Sequence, residues 1–178
     1  MSDLSLRDGF DHLVGRGVVT DKGTAHSYIQ FYEDLLKPYR DQAIHVLEVG
    51  VFEGASLALW RDYFPKARIT GVDIVPNPNP TPGTDFVMGD CLDPATFSGL
   101  PSIDIVIDDA THICENIVAT FKVLRPLMNP GGLYVVEDIQ DDDTVEQMQA
   151  LAQFEVHDRR SILGRPDDRL LVWRSDDL

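Results

Sequence analysis

Positive charge is scarce in this sequence: 15 Lys and Arg stand against 30 Asp and Glu, for a formal net charge of −15. A surface this acidic repels phosphate backbones and anionic headgroups, so a nucleic-acid or membrane-surface role would need a concentrated basic patch. None is present, since Arg159-Arg160 is the longest basic cluster. Cysteine is scarce too. Cys91 and Cys114 have no metal-type partner spacing and cannot build a disulfide framework, so both are expected as free thiols in a reducing compartment. No run approaches the roughly 18 apolar residues of a spanning helix. The opening Met1-Ser2-Asp3-Leu4-Ser5 carries acid where a secretory signal carries base, so a cytoplasmic protein is expected. Repeats, low-complexity tracts and long linkers are also lacking. What remains, 178 residues at 43% hydrophobic, reads as one domain, with a helical cap segment over 1–43 and a core over 44–178.

Within the core, short β-branched runs alternate with helical patterns, which predicts an α/β fold: a Rossmann-like, doubly wound sheet with helices on both faces. The predicted parallel strands are His45–Val51, Arg68–Ile74, Asp85–Gly89, Ile103–Asp108 and Leu133–Glu137. Two more, near Phe154–Arg160 and Arg169–Arg174, flank a turn-rich segment and read as an antiparallel hairpin, making seven strands in all. Helices are expected at Leu4–Val14, Thr24–Leu36, Ser56–Tyr63, Cys114–Pro126 and Thr144–Ala152. The proline-rich stretch from Pro76 to Gly83 must be a loop, because its prolines lack donors and hold the chain extended.

Most of the predicted parallel strands end in Gly, acid or both, and in such sheets ligands bind outside the carboxyl ends. Glu48-Val49-Gly50-Val51-Phe52-Glu53-Gly54 follows a strand and opens a helix, where glycine lets backbone approach a ligand. It is not GxGxxG, which counts against a nicotinamide dinucleotide, and such a turn also serves purely to reverse the chain. Asp73, twenty-three residues after Gly50, can accept from both hydroxyls of a ribose, or it is a solvated turn residue. Asp90 either flanks an adenine or caps the helical turn that follows. Asp108-Asp109 and Glu137-Asp138 place four carboxylates at neighbouring strand ends, which repel unless a cation or an arginine compensates them. Mg²⁺ held by Asp109, Glu137 and Asp138 is the economical answer. His112, three residues after Asp109, suits a general base, the alternative being a capped turn with a surface histidine.

Together these residues resemble the class I S-adenosylmethionine-dependent methyltransferases. More narrowly they resemble the Mg²⁺-dependent sugar O-methyltransferases of macrolide biosynthesis, of the mycinamicin and macrocin type, and the cephalosporin hydroxylase family. The resemblance runs from Asp21-Lys22-Gly23-Thr24-Ala25-His26-Ser27-Tyr28 to Glu137-Asp138-Ile139-Gln140. Asp108-Asp109-Ala110-Thr111-His112 stands where that family has Asp-Asp-Gly-Ser-His. The resemblance implies an enzyme that binds S-adenosylmethionine through Glu48, Gly50, Asp73, Asp90 and Asp108. It implies Mg²⁺ on Asp109, Glu137 and Asp138, and His112 as the base that deprotonates a hydroxyl of a sugar or other small natural product. Lys22, His26 and Tyr28 would cover the methionine end, with the contacting residue left open. Little sequence is left to enclose an acceptor, so an open face for a large acceptor or a homo-oligomer that completes the pocket is expected. A metal-independent methyltransferase, a nicotinamide oxidoreductase and a non-catalytic cofactor-binding scaffold remain as rivals.

Overall fold

The β-branched runs form the middle of a sheet whose strands alternate side chains between two helical layers, as the two-residue period of a strand requires. The structure, a computed structural model, describes residues 5–175. The acidic opening and the first predicted helical residue, Leu4, lie outside the described residues. Strands β1 (His45–Val49), β2 (Arg68–Asp73), β3 (Asp85–Met88), β4 (Ile103–Asp108), β5 (Met128–Val136), β6 (Glu155–Asp158) and β7 (Arg169–Arg174) form one seven-stranded sheet in the order β3-β2-β1-β4-β5-β7-β6. The first five are parallel; β7 pairs antiparallel with both β5 and β6.

The helices are α1 (Leu6–Gly15), α2 (Tyr28–Leu36), α3 (Ala55–Tyr63), α4 (Cys114–Leu124), α5 (Asp142–Leu151) and the single turn α6 (Arg160–Leu163). On one face Val46, Ile105, Ile107, Val135 and Val172 pack with Phe10, Tyr32, Leu57 and Trp60 of α1–α3. On the other, Leu47, Val106, Tyr134, Val136 and Trp173 pack with Ile117, Phe121 and Met148 of α4 and α5. The helices of 1–43 pack into the first of these layers.

Three details differ from the sequence reading. Strand β5 begins at Met128, ahead of the apolar run, and a register irregularity between Ile103 and Ile105 accommodates Pro130-Gly131-Gly132. Of the predicted helix Thr24–Leu36 only Tyr28–Leu36 forms, as α2; residues 24–27 turn instead, with Ser27 away from helical geometry, after a one-turn 3-10 segment at Asp21–Gly23. The antiparallel hairpin forms, but its first strand ends at Asp158, and α6 precedes the turn-rich segment that leads into β7. Among the described residues no helix is long and apolar enough to cross a membrane, and Cys91 and Cys114 are both free.

Candidate active site

The parallel strands end side by side, and backbone bonds extend the ladder past them: Gly89 N–H donates to Asp73 O, Gly50 N–H to Val72 O, Asp109 N–H to Val49 O and Glu137 N–H to Asp108 O, each at 2.9 Å. This row brings Glu48, Asp108, Asp109, Glu137 and Asp138 to one edge. Gly50 must be glycine there. Its φ is +86°, and a Cβ would stand 2.0 Å from the Asp109 carbonyl oxygen.

A cation from the chain itself meets this charge. Lys22 is fully buried, and its Nζ donates to Asp109 Oδ2 at 2.6 Å and to Glu137 Oε2 at 2.9 Å, with Glu48 Oε1 3.6 Å away. Burial opposes its charge, but Asp109, Glu137 and Glu48 outweigh burial and hold the ammonium well above its ordinary range. Around Lys22 every carboxylate is tied down. Tyr32 O–H donates to Glu137 Oε1. Ser56 O–H and Trp60 Nε1–H donate to the two oxygens of Glu48 at 2.7 and 3.2 Å. Tyr134 O–H donates to Asp108 Oδ2 at 2.8 Å. Burial pushes Glu48 and Asp108 each up to about 7. It also raises Glu137 well above the carboxylate range, with Lys22 pulling the other way.

In front of this buried layer stand Asp109, His112 and Asp138, whose potential ligand atoms lie within 4.8 Å of one another. His112 Nε2 is 3.8 Å from both Asp109 Oδ1 and Asp138 Oδ2. Burial raises the Asp138 carboxyl, and Asp109 adds to the effect. His112 and Asp138 adopt left-handed backbone at φ +55° and +57°, and Phe52 beside them does so at +51°. Non-glycine residues carry that strain where the surroundings impose it, and such outliers cluster at functional sites. Behind Asp138, Tyr28 O–H donates to its Oδ1 at 2.7 Å, and the buried His26 ring stacks on Tyr28 with Nδ1 3.4 Å from the same oxygen. Two carboxylates with an imidazole alongside fit Mg²⁺, which commonly takes one or two protein carboxylates and leaves other positions to water or substrate. A second group within the same reach, Asp21, His26 and Asp138, shares Asp138 with the first.

Beside this cluster, a cavity of about 330 Å³ is lined by Gly50, Asp73, Ile74, Asp90, Leu92 and Ala110, among others. Asp73 Oδ2 accepts from Val51 N–H at 2.8 Å and Phe52 N–H at 2.9 Å, which fixes the glycine turn; Oδ1 accepts from Val75 N–H. Asp90 Oδ1 accepts from Leu92 N–H, while Asp93 caps the following 3-10 turn. Another cavity, of about 450 Å³, lies on the other side of Gly50 and is lined by Thr20, Thr24, Phe52, Asp109 and His112, among others.

Of the residues named from sequence for a cofactor, Gly50, Asp73 and Asp90 line the 330 Å³ cavity; Glu48 and Asp108 sit behind it, fully or nearly buried. Of those named for a metal, Asp109 and Asp138 stand together with His112, whereas Glu137 faces inward to Lys22 and Tyr32. Sequence reasoning missed Lys22 as counter-ion, and with it Tyr32, Tyr134 and Ser56. The only signal was the requirement that some cation offset the carboxylates, which a lysine 87 residues from Asp109 satisfies. It also missed Asp168, fully buried, which accepts from Ser27 N–H and O–H at 3.2 and 2.7 Å and so braces the segment that carries Lys22.

No protein-family model matches the chain. The 8-demethyl-8-α-L-rhamnosyl tetracenomycin-C 2′-O-methyltransferase of Streptomyces olivaceus is 40% identical over 167 residues, which span 81% of this chain and 42% of the relative. The mycinamicin VI 2″-O-methyltransferase of Micromonospora griseorubida is 33% identical over 147 residues, 76% of this chain and 37% of the relative. Among solved structures, the MycE methyltransferase of the mycinamycin biosynthetic pathway, in complex with Mg and S-adenosylhomocysteine, superposes with a TM-score of 0.66 at 32% identity, covering 73% of this chain and 36% of that one. The chain thus spans about two-fifths of the length of the curated relatives it matches. Its homologues are sugar O-methyltransferases that act on macrolide and tetracenomycin glycosides, and its fold is that of the S-adenosylmethionine-dependent methyltransferases.

Proposed function

We propose that this chain carries the cofactor-binding and catalytic part of an S-adenosylmethionine-dependent O-methyltransferase whose acceptor is a sugar hydroxyl of a glycosylated natural product. The observation that carries the reading is the strand-end arrangement itself: a cavity with Gly50, Asp73 and Asp90 on its wall, directly beside Asp109, His112 and Asp138, in a chain 40% identical to a sugar O-methyltransferase.

The nucleoside end of the cofactor belongs in the 330 Å³ cavity, with the Asp73 carboxylate offered to ribose and the Asp90 loop to adenine. Gly50, without a Cβ, brings its backbone against Asp109 on the wall that the cofactor would occupy, and the acceptor hydroxyl would enter from the side of Thr24 and Phe52. Asp109 and Asp138 would hold Mg²⁺, with Glu137 supporting Asp109 through Lys22 and Tyr28 supporting Asp138; when bound, the metal would lower the pKa of an acceptor hydroxyl. His112 takes the hydroxyl proton as oxygen approaches the methyl carbon. The buried Lys22–Glu137–Tyr32 layer keeps Asp109 in one orientation during transfer, and positioning is most of what an in-line methyl displacement needs.

A second reading, a metal-independent methyltransferase, is favoured by one observation: Lys22 already supplies a cation to the carboxylates for which a metal was invoked. Chelation separates the two. Calorimetric titration with S-adenosylhomocysteine in Mg²⁺ buffer is expected to give one site per chain, and methyl transfer to glycosylated acceptors should collapse in EDTA and return with Mg²⁺. Undiminished turnover in EDTA selects the metal-independent reading. His112→Ala should lower turnover about a hundredfold or more with unchanged S-adenosylhomocysteine affinity. Retained turnover removes His112 as the base.

A further inference from the structure

One buried group has no task in the chemistry above. His26 is 3% exposed, and its Nδ1 makes no hydrogen bond, although Asp138 Oδ1 lies 3.4 Å away and Asp168 Oδ1 3.6 Å away. A ring nitrogen buried without a partner is costly, and a bound ion is one of the few things that accounts for it. Asp21, exposed at the start of the 3-10 turn, brings a carboxylate to the same place. One potential ligand atom each from Asp21, His26 and Asp138 lie within 4.8 Å of one another.

The backbone assembles this group. Asp21 O accepts from the N–H groups of Thr24, Ala25 and His26 at 3.1, 3.0 and 2.8 Å, so the chain curls and returns residue 26 to the side of residue 21. The His26 ring is stacked on Tyr28 with centroids 4.8 Å apart, and Tyr28 is in turn bonded to Asp138. Fully buried Asp168, held by Ser27, adds fixed negative charge beside the imidazole. The nearby basic side chains are committed elsewhere: Lys22 to Asp109 and Glu137, Arg159 to Ser27 and Arg165 to Asp167. An ion has a way in, because Asp21 is on the wall of the 450 Å³ cavity with Thr20 and Thr24.

We infer that Asp21, His26 and Asp138 form a second cation site, separate from the Mg²⁺ position, that takes a first-row transition ion of the Zn²⁺ kind. The donor set sets the class of ion. Mg²⁺ favours oxygen throughout, whereas an imidazole nitrogen with two carboxylate oxygens suits Zn²⁺ and leaves a fourth position to water. Asp138 serves both positions through different oxygens, Oδ1 toward His26 and Oδ2 toward His112. The ion would pin the segment that carries Lys22 to the end of β5, adding a clamp to the brace that Asp168 gives Ser27. The site goes beyond the methyltransferase reading and does not depend on it.

The test is a calorimetric titration of Zn²⁺ into the whole chain, stripped with chelator and returned to buffer with excess Mg²⁺, beside Asp21→Asn, His26→Gln and His112→Gln. The wild type is expected to bind one Zn²⁺ per chain with micromolar or tighter affinity. Asp21→Asn and His26→Gln should weaken binding about tenfold or more, the loss seen when even a group supporting a metal ligand is removed, and His112→Gln should leave it unchanged. Zn²⁺ should raise the melting temperature of the wild type and of His112→Gln but not of Asp21→Asn. Asp21 is exposed, so its variant keeps the test open if His26→Gln does not fold. No saturable Zn²⁺ binding by the wild type would overturn the site and leave His26 as an imidazolium held between two carboxylates. Wild-type affinity in Asp21→Asn together with loss in His112→Gln would overturn it as well, by placing the ion on the Asp109 and His112 side. S-Adenosylhomocysteine titrated into the same samples reports on the methyltransferase reading separately.

Discussion

At the scale of single residues, Lys22 decides most. A fully buried ammonium among three carboxylates is a group whose partners lose more from its removal than the set gains from its presence, because they would be left crowded together without their counter-ion and its hydrogen bonds. Lys22→Met should therefore cost about 3–5 kcal/mol, read as a lower urea midpoint. A change within experimental scatter would mean that the carboxylates are protonated without it. Asp108 makes a different prediction. Burial lifts its folded pKa to about 7 from an ordinary value of 3.8, the Tyr134 hydroxyl opposing the shift. The folded chain therefore keeps a proton there that the unfolded chain has released, and the stability this confers is full below about pH 4 and lost as pH rises through 7. Asn cannot titrate, so Asp108→Asn should gain on the wild type as pH rises from 4 to 8 in denaturant melts. A gap that is constant with pH would show that the group titrates normally.

At the scale of elements, the segment carrying Lys22 is held by the far end of the chain. Arg159 donates from Nε and Nη2 to Ser27 O at 3.1 and 2.8 Å, and Asp168 accepts both the Ser27 N–H and its hydroxyl. Asp168→Ala should cost about 2–3 kcal/mol, the worth of hydrogen bonds to a buried charge. It should also speed amide exchange across residues 20–28 while β1 and β4 stay protected; uniform acceleration over the whole chain would instead place the loss in the global core. These long-range ties mark the boundary of what the sequence discloses. The five parallel strands were legible because a two-sided buried strand must be a short β-branched run, and the carboxyl-end site followed from their order. Asp109, Asp138 and His112 were legible for the same reason, each falling within a few residues of a strand end. Lys22 and Asp168 were not, because their partners lie 87 and 141 residues away and nothing local marks them. The first half of β5 escaped because Pro130-Gly131-Gly132 has neither the composition nor the alternation of a strand.

For the whole molecule, the excess of acid is partly neutralised inside by Lys22 and otherwise spread over the surface as unscreened repulsion. A net charge of −15 on a chain of 178 residues opposes compactness. Raising NaCl from 20 mM to 0.5 M should increase the melting temperature, because the screening length falls from roughly 20 Å to a few Å. A melting temperature that falls with salt would mean that ion pairs such as Arg68–Asp85 and Arg160–Asp158 outweigh the repulsion.

The strand order carries a consequence for how the molecule is made. Strand β7 follows the other six in chain order yet lies inside the sheet, with Leu133–Val136 of β5 on one side and β6 on the other. Until Arg169–Arg174 has cleared the ribosome, β5 presents an open edge, β6 has no ladder partner, and Asp168 is not yet in place to brace the Lys22 segment. A nascent chain that stalls before Arg174 offers unpaired backbone to proteases and chaperones and cannot hold its strand-end site, so emergence of β7 itself serves as the checkpoint for a formed site.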